Sequence, residues 1–81
     1  MNITERLNAV IEEERANRPF LEKQTGIKAK RWTNVQSGQA KAYAEEVEAI
    51  SKIWPEYAYW LVTGKEIIDA GQISPLTKRL K

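Results

Sequence analysis

Residues 17–38 read NRPFLEKQTGIKAKRWTNVQSG, and the fold turns on how that stretch divides. Asn17 is a good helix cap, and Pro19 fits the first helical turn, where no amide hydrogen bond is lost. Gly26 follows soon after, and glycine ends a helix in a left-handed conformation without a side-chain penalty. The first half is therefore a short helix with Phe20 and Leu21 as its inward residues. After the turn, Ile27, Trp32 and Val35 share the inward side of another helix, which Gly38 stops. Lys28, Ala29, Lys30, Arg31, Thr33 and Asn34 are left facing outward. A purely solvated basic run has no use for Trp32, and a purely buried helix has no use for Lys28, Lys30 and Arg31. This helix faces two ways.

The flanks are helical as well. Ile3, Leu7, Val10 and Ile11 recur at the spacing of one apolar stripe, with Glu5, Arg6 and the glutamates 12–14 on the other sides. Asn2 followed by Glu5 reads as a capping box. Ala44, Val47, Ile50 and Trp54 continue at helical spacing until Pro55 terminates or restarts the chain. Tyr57, Trp60 and Leu61 then mark a short fifth helix that ends at Thr63 and Gly64. Residues 65–81, KEIIDAGQISPLTKRLK, lack periodicity and contain Gly71 and Pro75. They read as an irregular tail, with Ser74 and Pro75 as a start signal for a last turn. The expected fold class is all-α: a five-helix bundle over residues 1–64, followed by a tail over 65–81.

The composition narrows the chemistry. The 81 residues include neither cysteine nor histidine, which removes disulfides, thiolate chemistry, ordinary zinc sites and the commonest general base. No catalytic residue, metal ligand or cofactor is assigned, and an enzyme is not expected. No run of eighteen apolar residues and no charged-then-apolar leader occurs, so the expected location is the cytoplasm, away from membranes. The net charge of +2 is unevenly spread. Between residues 18 and 41, Arg18, Lys23, Lys28, Lys30, Arg31 and Lys41 oppose Glu22 alone, a balance of +5. The preceding residues sum to −2 and residues 42–64 to −3. A basic middle between acidic flanks suits one face turned to a polyanion, with the remainder kept soluble.

Two short helices joined by a glycine turn inside a five-helix chain resemble the helix-turn-helix of the lambda-repressor/Cro-like family of small phage-type and bacterial regulators. Leu21, Gly26, Ile27, Trp32, Val35 and Gly38 match the apolar and glycine positions of that motif. The segment PEYAYWLVTGK, residues 55–65, is similar to the end of the family's last helix. The resemblance covers roughly residues 3–64 and leaves the tail uncovered. Two positions depart from the pattern. Glu22 stands where a small residue is usual, and Lys28 replaces the Ser or Thr cap of the recognition helix. Looser packing, or a Glu22 turned toward Lys23 or Arg18, would accommodate them.

The resemblance implies a sequence-specific double-stranded DNA-binding regulator, acting as a repressor that occupies its operator with the third helix in the major groove. It assigns base readout to Lys28, Ala29, Lys30 and Asn34. Lysine reaches guanine edges, asparagine pairs with adenine, and alanine meets only a thymine methyl. Arg18, Lys23, Arg31, Thr33 and Lys41 are candidates for phosphate contact or positioning. The expected assembly is a homodimer, with Tyr59, Val62, Ile67 and Ile68 as interface candidates because they find no place in the core. Alternative readings are an antitoxin-type DNA-binding protein whose tail meets a protein partner, and an interaction adaptor that keeps the fold without DNA binding. Trp32, Trp54 and Trp60 fall at core spacing and read as core rather than as base-stacking platforms. Consecutive glutamates at 12–14 point about 100° apart on a helix and read as a solvated face.

Overall fold

The computed structural model describes residues 1–81. It is all-helical: α1 (Ile3–Glu13), α2 (Arg18–Thr25), α3 (Ala29–Gln36), α4 (Ala44–Ile53), α5 (Ala58–Thr63) and α6 (Pro75–Leu80), with 3-10 turns at Pro55–Tyr57 and Ile68–Ala70. No helix is long and apolar enough to cross a membrane.

The helix ends fall where local chemistry puts them. Asn2 and Glu5 form a reciprocal capping box on α1. The Asn17 side chain accepts from the Phe20 amide at 2.9 Å, opening α2. Gly26 closes α2 with φ 76°, a conformation that would strain any residue with a Cβ. Arg15 is the one non-glycine in that region, at φ 54°, where the chain turns from α1 into α2.

Eleven side chains form the core: Leu7, Val10 and Ile11 of α1, Leu21 of α2, Trp32 and Val35 of α3, Val47 and Ile50 of α4, and Tyr57, Trp60 and Leu61. None of these helices, six to eleven residues long, is long enough to stand alone in water, so this shared apolar contact is what holds them helical. Cross-element hydrogen bonds fix their relative placement. Asn8 Nδ2 of α1 donates to the Val35 carbonyl at the end of α3. Arg6 donates through Nε to the Leu61 carbonyl at 2.8 Å and through an Nη to Val62, completing the end of α5. Its guanidinium lies 3.4 Å from where a Cβ on Gly64 would stand.

Several expectations change in three dimensions. Phe20 does not turn inward. It is 39% exposed and lies beside Trp54, with ring centroids 6.2 Å apart, because Leu21 alone fills the core side of so short a helix. The tail is not simply irregular. Ile67 and Gln72 bridge, Gln72 bonds to Pro55 and Tyr59, Ile73 is buried, and α6 docks back on the body. Glu13 and Glu14 are therefore not a solvated face: Arg79 pairs with Glu13 at 2.6 Å, and Lys78 with Glu14 and Glu56 at 2.7 Å each.

Candidate nucleic-acid interface

On the α2–α3 pair, Arg18, Lys23, Lys28 and Lys30 gather without an ion-pair partner. Residues on a helix are set about 100° apart, so burying Trp32 and Val35 leaves Lys30 and Asn34 facing outward with Thr33 beside them. Ser37 lies seven residues beyond Lys30 and is displaced from it by only about 20° around the axis, so it extends the same face. Lys30 and Ser37 are exposed, while Ala29, Thr33 and Asn34 are half-buried at the helix surface. Thr33 Oγ1 donates to the Ala29 carbonyl and Ser37 Oγ to the Asn34 carbonyl, and neither oxygen accepts an internal hydrogen bond. The Asn34 carboxamide makes no internal hydrogen bond and keeps its full donor and acceptor set.

The start of α3 is built from α2. Lys28 occupies the cap position without a side-chain hydrogen bond. Glu22 supplies the missing acceptor instead: its Oε1 takes the Ala29 amide at 2.6 Å. The two departures from the helix-turn-helix pattern thus compensate each other, and Glu22 turns neither toward Lys23 nor toward Arg18. The carboxylate also sits at the positive end of the α3 dipole. Across the motif, Arg18 Nε donates to Gln36 Oε1 at 3.0 Å, tying the start of α2 to the end of α3.

Arg31 departs from the outward placement read from the sequence. Its guanidinium folds back over the Tyr43 ring, 4.3 Å from the centroid, and donates to the Lys41 carbonyl at 2.8 Å and to Glu46 Oε1 at 2.9 Å. The hydrogen bond to Glu46 holds the Arg31 pKa above its ordinary value. Glu46 itself is 2% exposed and accepts the Tyr43 amide as well, at 2.7 Å. The surface cations of this face are then Arg18, Lys23, Lys28, Lys30 and Lys41, all exposed and none in an ion pair.

Sequence reasoning passed over Ser37, Gln36, Tyr43 and Glu46. The helical period places Ser37 with Lys30, and the spacing of Tyr43 and Glu46 is that of a capping pair. Nothing local signals the reach of Arg18 to Gln36. No group of three or more potential ligand side chains converges on a metal. Tyr59, Val62, Ile67 and Ile68 are exposed by 38%, 60%, 43% and 51%, an apolar surface on α5 and the turn after it.

No family model matches the chain, and no curated protein does. Among solved structures, the chain is similar to Pf6r from the filamentous phage Pf6 of Pseudomonas aeruginosa PA01. The two share 29% sequence identity and a TM-score of 0.83, over 93% of this chain and 96% of that one.

Proposed function

We propose that the chain is a sequence-specific double-stranded DNA-binding regulator of the lambda-repressor/Cro-like kind, a repressor that acts as a homodimer on its operator. The observation that carries this reading is the outward face of α3. Lys30, Thr33, Asn34 and Ser37 stand together without an acid among them, flanked by unpaired Lys23, Lys28 and Lys41. Lysine and asparagine are donors suited to guanine and adenine edges in the major groove, and the surrounding cations suit phosphates. The likeness to a filamentous-phage protein supports a phage-type regulator.

An antitoxin-type protein with a free tail has less support, because α6 is held on the body by Lys78 and Arg79. Selection of bound duplexes from a random library tests the reading. A palindromic enriched site is the expected result, with half-sites about one helical turn apart. No enrichment would leave the adaptor as the better account.

A further inference from the structure

We propose that Glu46 and Arg31 are positioning residues that hold the α3–α4 loop against the recognition helix, so that Arg31 serves the interface from behind and does not itself contact DNA. This rests on the DNA-binding reading above. Four consecutive loop residues are pinned. The Ala40 amide donates to the Asn34 carbonyl, the Lys41 carbonyl accepts from Arg31, the Ala42 amide donates to Thr4 Oγ1, and the Tyr43 amide donates to Glu46. Two of the four run through the Arg31–Glu46 pair. The pair is short, its carboxylate is out of solvent, and its guanidinium is seated on the Tyr43 ring. Breaking such a pair leaves an uncompensated buried charge, so the arrangement is rigid. A pinned loop presents Lys41 and its neighbouring backbone at a fixed offset from Lys30 and Asn34, which is what simultaneous phosphate and base contact requires.

Glu46→Gln separates this role from plain electrostatics, because the two predict opposite signs. Removing a negative charge near a polyanion site should tighten binding, whereas loosening the loop should weaken it. The first measurement needs no DNA: amide hydrogen exchange of Ala40, Ala42 and Tyr43 in the full chain. Exchange there should accelerate in Glu46→Gln by about tenfold, with the α1 and α5 amides unchanged. Unchanged loop exchange would overturn the proposal whatever the protein binds. The second measurement is titration of selected and random duplexes, where affinity should fall about tenfold on both. Tighter binding by Glu46→Gln would also overturn it.

Tyr43→Leu, at a 63% exposed position that does not threaten the fold, should move loop exchange in the same direction with no change in charge. If it leaves exchange at the parental rate, the ring plays no part in seating Arg31 and the clamp as described is wrong. A parent that binds no duplex removes the DNA-binding reading and the interface role with it. The exchange result would still decide whether the pair fixes the loop.

Discussion

The Glu22 carboxylate accepts the Ala29 amide at 2.6 Å, so α2 caps α3 across the turn. The cap belongs to the motif as a unit rather than to either helix. Glu22→Ala should destabilise the domain by about 1 kcal/mol, within the range for lost caps. In that background Lys28→Ser restores a local cap and should recover most of the loss. Urea unfolding of the single and double variants measures both, and a Lys28→Ser that rescues nothing would mean Glu22 acts by some other contact.

DNA binding should be strongly salt-dependent. With about four phosphates neutralised per protomer, the log–log slope is near −3.6 per protomer. Arg18, Lys23, Lys28 and Lys41, none of them in an ion pair, are the cations that would supply those contacts. Lys41→Ala should weaken all duplexes similarly, and Asn34→Ala should cost about 1–3 kcal/mol on the preferred site and little elsewhere. Titrations at several salt concentrations decide this; a flat salt response removes the DNA reading.

Trp32 sets the facing of α3. Its side chain is fully buried, with the indole N–H unpartnered. Trp32→Ala should lose about 3–5 kcal/mol, a large part of a small domain's stability. Circular dichroism melts check this. Parental melting combined with lost DNA binding would put Trp32 on the surface and reverse the facing of the helix.

The tail should be released at both pH extremes. Burial alone would raise the Glu14 pKa, but hydrogen bonds from Lys78 and Tyr57 outweigh it and hold it below its ordinary 4.5. That contribution is present above pH 4.5 and is lost as pH falls through the lowered folded value. Burial and then the bond to Glu14 raise the Tyr57 pKa above its ordinary 10.0. Burial would lower Lys78, but its bonds to Glu14 and Glu56 prevail and raise it above 10.5. Both raised groups contribute stability below about pH 10 that disappears as pH climbs through their folded values. Lys78→Met should therefore melt below the parent between about pH 4.5 and 10, with the gap closing as pH falls through the lowered Glu14 value or climbs through the raised Lys78 value. A constant gap across the range would mean that Lys78 acts through packing alone.

Dimerisation is expected through Tyr59, Val62, Ile67 and Ile68. Truncation after Gly64 is a poor test, because it also removes buried Ile73 and the Lys78 contacts. Val62→Glu and Ile68→Glu alter exposed positions only. Sedimentation should show the parent as a dimer and these variants as folded monomers. A parent that sediments as a monomer at high micromolar concentration would leave dimerisation to the operator alone.

The sequence by itself determined the first five helices and the inward side of α3. Caps at Asn2 and Asn17, the stop at Gly26 and the 3.6-residue period of the apolar side chains act within a few residues of where they stand. Outward Lys30 and Asn34 followed from inward Trp32 and Val35. Tertiary structure alone decided where the long charged side chains went. Glu22 reaches seven residues along the chain to Ala29, Arg31 fifteen to Glu46, and Glu14 is met by Lys78 from 64 residues away. A flexible side chain has several partners within its radius, and which one it takes is set by how packed helices bring distant backbone together. The same reason explains the tail. Its residues carry no helical period of their own, and they are ordered by the groups on α1 and the Pro55–Tyr57 turn that the rest of the fold had already placed.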